Sequence, residues 1–531
     1  MSLIRLSLLG ALAAPLLGAQ PAPTSRTAAI LLLQGTDTVV VERFTRSARE
    51  VTASVAVRSQ PRIDLRFELG PDHLVPTTTF TVFGPNAPID AAPLQRGTLT
   101  LRADSAILQI DGSGASRTIR VATRPGALPL LNNEFVVVEQ AVQIARARGV
   151  RSLTFPVFAL SAAVTLDATL DLIGTDSARV TVAGNVTEVA LGTEGQIVGG
   201  RLPASTGIRL VVVDGLAAAA ISLGRPDYSA PAGAPYEAIE VMVPTAAGYR
   251  LSGTLTRPLR ATGKLPAVVT ITGSGQQDRD EYIPIAGGVR LFRQIADTLS
   301  RRGIAVLRLD DRGVGGSGGD VNGTSADFAD DIHAAVRWLR ARTEIDPDRI
   351  ALVGHSEGGM IAPMVAADDA KLAAIALLAG PAYTGQQIID FQLENVVRGD
   401  SSIAPSAKDS LVRLSRAQFD SLVAGSAWMR YFLTYDPLLT IRRVRQPVLI
   451  LQGATDQQIR AEEARLLEAT LRAAGNRRVT LAILPERNHL FLRDPVGHPS
   501  GYQRLPSNRV DGEVLGTLAD WIVRTLTPSS R

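Results

Sequence analysis

The residues Gly354-His355-Ser356-Glu357-Gly358-Gly359 set a hydroxyl and a carboxyl among three glycines. An apolar run, Ile350 to Val353, precedes them, and a small-residue run, Met360 to Ala367, follows. Where a strand turns abruptly into a helix, the central residue is forced into an unfavourable backbone conformation. Flanking glycines remove the side chains that would collide there. Such a corner presents Ser356 Oγ at a sheet edge and a helix N-terminus, open to attack a substrate. A plain glycine turn shares the same letters, but not the strand before and the helix after.

A serine hydroxyl needs a neutral imidazole to take its proton, and that imidazole needs an oriented carboxylate. On a sheet of this kind the order along the chain is Ser, acid, His, each on a loop after a strand. PVLILQG (447–453) is followed by Asp456, and VTLAILPE (479–486) by His489. The sequence holds five histidines, at 73, 333, 355, 489 and 498. His73 reads as a loop residue and His333 as a structural or surface residue of a helix. His355 is expected to point away from Oγ into local packing. His498, in GHPSGY, is the rival to His489, and Asp494 and Asp436 are the alternatives to Asp456. A tetrahedral intermediate also demands N–H donors for its oxyanion. The backbone of Glu357 offers one. The loop TGSGQQDRD (272–280) offers the other, at Ser274 or alternatively Gly275.

These residues need elements to hold them. From Glu237 onward, buried-type apolar runs (267–271, 304–309, 350–353, 373–380, 447–453, 479–486) alternate with amphipathic helical stretches. That pattern predicts an α/β domain with a mainly parallel sheet. Between 382 and 440 the alternation stops and helical segments are inserted, predicting a cap over the site. Trp428, Tyr431, Phe432 and Tyr435 are candidates for an acyl pocket within it. Residues 20–223 instead alternate with period two and predict a mostly antiparallel β domain, interrupted by one helix within 132–149. GRPDYSAPAGAPYEA (224–238) reads as a domain crossing, with 224–236 as linker and 237–531 as the second domain.

With these motifs in place, the second half of the chain resembles the α/β-hydrolase superfamily, and more narrowly the EstD-type esterases grouped with serine aminopeptidase-like hydrolases. The blocks that carry the resemblance are TGSGQQDRDE (272–281), DDRGVGGSGG (310–319), GHSEGGMIAP (354–363), WMRYFLTYDP (428–437), LQGATDQQI (451–459) and RNHLF (487–491). The resemblance implies carboxylic-ester hydrolysis by Ser356, Asp456 and His489 without a cofactor. DDRGVGGSGG lacks the lysine of a phosphate loop and is expected to be structural. The alternative within the same family is an aminopeptidase or dipeptidyl-peptidase. That activity needs carboxylates for the substrate ammonium, and Glu357 is one candidate for it.

Composition narrows the remaining functions. Of 531 residues, 45% are hydrophobic and 20% charged, with a net charge of +4 and no blocks of Lys or Arg, so nothing points to nucleic acid. With no cysteine there is no disulfide, thiolate metal site or cysteine nucleophile. Residues 1–19 read as a signal peptide cleaved near Ala19, which predicts export to the periplasm or beyond. No later segment reaches the ~20 apolar residues of a membrane span. The partner expected is a small-molecule ester. The N-terminal β domain either binds an envelope component or serves as a scaffold.

Overall fold

Strand EVTASVAV (Glu50–Val57) shows how the N-terminal half is built. In the computed structural model Val51, Ala53, Val55 and Val57 are buried and Thr52 is exposed, so one face of the strand is dry. The structure describes residues 25–527 apart from 35–36, 59, 86–91, 113–114, 132–133, 161–162, 183–184, 203–207, 224–225, 260–262, 400–404 and 424–425. The segment read as a signal peptide lies outside the described residues.

A first meander runs through β1 (Arg26–Gln34), β2 (Asp37–Arg46), β3 (Glu50–Val57), β4 (Pro61–Glu68), β5 (Thr77–Pro85), β6 (Gln95–Leu101), β7 (Ser105–Gly112) and β8 (Ala115–Ala122). A second runs from β9 (Leu128–Leu130) through β10 (Ser152–Ala159), β11 (Val164–Ile173), β12 (Ser177–Val182), β13 (Asn185–Leu191) and β14 (Ile197–Arg201) to β15 (Ile208–Asp214). Antiparallel pairing of β1 with β15 joins them into one sheet, and among the described residues only β9 and β10 pair in parallel there. Helix α1 (Val136–Ala147) buries Val137, Ala141, Val142 and Ile144 against it. The buried Glu42 accepts from Phe135 N (2.6 Å) and Val136 N (3.2 Å), and Glu134 accepts from Val137 N (2.7 Å). These carboxyls satisfy N–H groups that the first turn of α1 leaves without partners. A short helix, α2 (Leu216–Ala219), follows β15.

The second half has continuous apolar strands instead. β18 (Leu265–Ile271) is buried at every position, as parallel strands covered on both faces must be. Its sheet begins with the hairpin β16 (Tyr236–Pro244) and β17 (Arg250–Pro258). The small pair β19 (Tyr282–Ile283) and β20 (Val289–Arg290) lies apart from it. The sheet continues with β21 (Ala305–Leu309), β22 (Ile345–His355), β23 (Ala374–Leu378), β24 (Val448–Gly453) and β25 (Val479–Leu484). Spatial order is β16-β17-β21-β18-β22-β23-β24-β25, parallel from β21 to β25. Helices α3 (Leu291–Ser300) and α11 (Gly512–Leu526) share one core with the sheet. α4 (Ser325–Arg340), α5 (Glu357–Asp368) and α10 (Ala461–Ala473) share the other. Between β23 and β24 stand α6 (Gly385–Gly399), α7 (Pro405–Val423), α8 (Ala427–Thr434) and α9 (Pro437–Ile441). Among the described residues no helix is long and apolar enough to cross a membrane.

The proline- and glycine-rich stretch read as a linker or domain crossing makes packed contacts. Tyr228 is buried there, its hydroxyl 3.3 Å from Asp278 Oδ2 and its ring 4.2 Å beneath the Arg279 guanidinium. In the other direction, Tyr282 sits within the hydrophobic core of the N-terminal sheet, and Gln34 Nε2 donates to Gly287 O at 2.6 Å.

Candidate active site

Ser356 occupies the corner between β22 and α5 with φ 52° and ψ −118°, a conformation that L-residues rarely adopt. Close backbone approach explains its glycines. A Cβ on Gly354 would lie 2.0 Å from Gly358 O, and one on Gly358 would lie 2.1 Å from Ile271 O. The corner is tied down by Ser356 N donating to Leu378 O (2.9 Å) and Gly359 N to Ser356 O (2.8 Å).

Asp456 follows β24 and His489 follows β25. His489 Nδ1 lies 2.8 Å from Asp456 Oδ2, and both side chains are buried. Asp456 also accepts from Gln452 Nε2 (2.9 Å), Gln458 N (2.8 Å) and Ile459 N (3.0 Å), which fix the direction of its carboxylate. A proton on Nδ1 for this bond leaves Nε2 as the basic nitrogen. His489 and Ser356 line one cavity of about 660 Å³, together with Ser274 and Glu357. The rival residues lie elsewhere. Asp436 caps α9, accepting from Leu438 N. Asp494 accepts from Asn488 Nδ2 and Val496 N. His498 pairs with Ser500 at an exposed turn. His333 borders a separate cleft with Tyr431 and Tyr435. Of the four aromatics considered for an acyl pocket, only Trp428 and Phe432 face the Ser356 cavity, stacked 5.6 Å apart.

The loop after β18 is held by buried charge. Thr272 Oγ1 and Gln277 N donate to Asp311 (2.7 and 3.0 Å), and Arg279 pairs with Asp310 through Nε and Nη2 (3.0 and 2.8 Å). Asp280 pairs with Arg308. The aspartates of DDRG therefore clamp this loop, a structural task. Burial pushes the Asp311 carboxyl well above the ordinary carboxylate range. Gly273 N donates to Glu281 Oε1 at 2.8 Å, so that N–H is spent, which leaves Ser274 and Gly275 as the donors this loop can offer. The Glu357 carboxyl is buried. It accepts from Ser325 Oγ (2.6 Å) and Trp428 Nε1 (2.8 Å), and bonds the Ser274 side chain. Burial raises its pKa against those hydrogen bonds.

His355 does point into packing, but the packing is polar and specific. Its Nδ1 lies 2.7 Å from Glu281 Oε1 and its Nε2 lies 3.0 Å from His489 O. A carbonyl oxygen only accepts, so Nε2 carries a proton. A hydrogen bond between Nδ1 and Glu281 requires another proton, shared by the imidazole and the carboxyl. Burial alone would lower the His355 pKa, but the Glu281 charge and these hydrogen bonds outweigh it and raise it. The His355 and His489 rings stand 4.8 Å apart. Glu281 thus bonds both the loop before it, at Gly273 N, and the histidine beside the nucleophile. Neither Glu281 nor this use of His355 was anticipated from the sequence. The available signal was Arg308 inside an otherwise apolar strand, since a buried cation needs acidic partners nearby.

Known proteins resemble this part of the chain. Residues 286–496 match the family model described as serine aminopeptidase, S33. Esterase EstD of Thermotoga maritima is 28% identical over 281 residues, covering 52% of this chain and 66% of that protein. Dipeptidyl aminopeptidase BIII of Pseudoxanthomonas mexicana is 27% identical over 240 residues, covering 44% of this chain and 31% of its own length. The chain thus spans less than two thirds of either relative. A solved esterase of Pyrococcus furiosus aligns over 57% of this chain and 96% of its own, with 18% identity and a TM-score of 0.41.

Proposed function

The C-terminal part of this chain belongs to the α/β-hydrolase superfamily, and from that premise we propose that the protein is a serine carboxylesterase acting through an acyl-enzyme on Ser356. The observation that carries the reading is the 2.8 Å bond from buried Asp456 to His489, which lines the same cavity as the strained Ser356. His489 Nε2 takes the Ser356 proton as Oγ attacks the ester carbonyl, and Asp456 steadies the imidazolium that forms. The oxyanion receives hydrogen bonds from the N–H groups of Glu357 and Ser274. His489 returns its proton to the leaving alcohol, then activates a water that releases the acid. No step requires a cofactor.

The site weighs against the aminopeptidase alternative. The carboxylates lining the cavity are Glu281 and Glu357, both buried and with Oε1 of each already bonded to the partners described above. A substrate ammonium would have to reach a buried carboxyl, whereas an ester needs no counter-charge. The acyl portion is of short to medium length, fitting a cavity within the usual range for small ligands. Export through cleavage near Ala19 belongs to the same proposal and rests on the sequence alone.

The test compares p-nitrophenyl butyrate with an aminoacyl-naphthylamide on wild type and on Ser356→Ala. Wild type hydrolyses the butyrate and not the amide. Ser356→Ala, melting at the wild-type temperature, loses roughly 10⁴-fold or more of kcat. Full turnover by the folded variant would defeat the proposal.

A further inference from the structure

One wall of the Ser356 cavity comes from outside the hydrolase sheet. Arg58, Gln60 and Pro61, at the turn between β3 and β4, line it alongside Ser356 and His489. The turn is firmly held. Arg58 N donates to Val39 O (3.0 Å), Arg58 Nη2 to Thr38 O (2.6 Å) and Gln60 N to Val57 O (3.1 Å). The domain behind it is locked to the hydrolase by Tyr282 in its core and by the Gln34–Gly287 bond. The backbone of Gln60 is therefore placed at the edge of the cavity, with its side chain exposed.

The lining has two chemistries. Helices α6 and α8 supply Ile388, Trp428, Met429 and Phe432. The N-terminal turn supplies Gln60 and the buried Arg58, the loop after β18 supplies Gln276 and Gln277, and α6 adds the amide of Gln392 at the border of the two. A side-chain amide both donates and accepts, as a hydroxyl does, and it offers no counter-charge to an ion. An apolar surface beside an amide-bearing one matches a molecule that is hydrocarbon at one end and hydroxylated at the other.

We propose that the N-terminal sheet forms part of the substrate site, its Gln60 turn binding the hydroxyl-bearing alcohol portion of an ester whose acyl chain lies along α6 and α8. This deepens the ester-hydrolase reading and rests on it. Gln60 is then a specificity-determining residue, and the N-terminal domain a component of the enzyme rather than a separate binding module.

The experiment measures kcat/KM of the full-length protein for two esters with the same acyl group, glyceryl 1-monobutyrate and methyl butyrate. Wild type favours the glyceryl ester, and Gln60→Leu lowers the glyceryl-to-methyl ratio by about three- to tenfold, the effect of one hydrogen bond. Gln60→Ala is read in its place if the leucine variant melts below wild type. A wild-type preference for the methyl ester, or a ratio that moves by less than about threefold, overturns the proposal. Failure to hydrolyse either ester would instead strike the esterase reading beneath it.

Discussion

The two sheets of this molecule both bury carboxyl groups, and they use them differently. In the N-terminal sheet, Glu42 and Glu134 lie in an apolar core and face the first N–H groups of α1, so the carboxyls complete a structural element. In the C-terminal sheet, Asp280, Glu281, Asp310 and Asp311 face the loop after β18 and the histidine beside Ser356. There the carboxyls complete no helix. They hold irregular backbone in one place, and that backbone borders the cavity containing Ser356. The lesson is that burial of a charge does not mark function by itself. What the charge restrains decides whether losing it costs stability or turnover.

Three substitutions probe that contrast, in descending order of effect. Asp456→Asn leaves the shape intact but no longer fixes the proton on His489 Nδ1, and kcat falls by about 10³–10⁴-fold with the melting temperature unchanged. Steady-state kinetics beside a thermal melt checks it. Glu281→Ala removes the acceptor for Gly273 N and the partner of His355, freeing both the loop after β18 and the backbone carbonyl of His489. Its kcat falls by roughly 10–100-fold while KM stays within about threefold. Glu281→Gln keeps an oxygen that can accept from Gly273 N but loses the charge beside His355, and it recovers part of the rate. Equal losses in both variants would assign Glu281 a role through charge alone.

The third substitution moves to the N-terminal sheet, where stability should change and turnover should not. Burial pushes the Glu42 carboxyl up to about 8, and burial together with the Glu42 charge raises Glu134 as well. A carboxyl raised on folding holds its proton in the native state where the unfolded chain has lost it. Its contribution is fully present below the unfolded pKa of about 4.5 and disappears as pH rises through the folded value near 8. Glu134→Gln removes one of the two coupled carboxyls and keeps the acceptor for Val137 N. Melting curves from pH 5 to 9 should show a smaller decline than wild type, with a gain of roughly 2–4 °C at pH 8. Ester turnover at 25 °C is unaffected. A variant that declines as steeply as wild type would contradict this account of the N-terminal core.

How much of this was legible in the sequence follows from how local each signal is. The corner at Ser356 announces itself, because glycines are required within four residues of it on steric grounds. Asp456 and His489 were readable because each follows an apolar strand by a few residues. The period-two pattern of strands such as Glu50–Val57 and the continuous burial of Leu265–Ile271 likewise separate the antiparallel from the parallel sheet. Contacts across long separations were not readable. Glu281 meets His355 over 74 positions, and His355 meets the His489 carbonyl over 134. Nothing in the local pattern distinguishes these residues from a solvated glutamate and a packed histidine. The approach of Gln60 to the Ser356 cavity depends on Tyr282 docking in the N-terminal core, a tertiary event with no periodicity of its own.

The most direct measurement is covalent labelling with a fluorophosphonate, followed by peptide mapping. Phosphonylation of the wild-type protein on Ser356 alone, abolished in folded His489→Ala, is the result expected of a serine activated by that histidine. Labelling at another serine, or labelling of Ser356 that proceeds at the wild-type rate without His489, would contradict it.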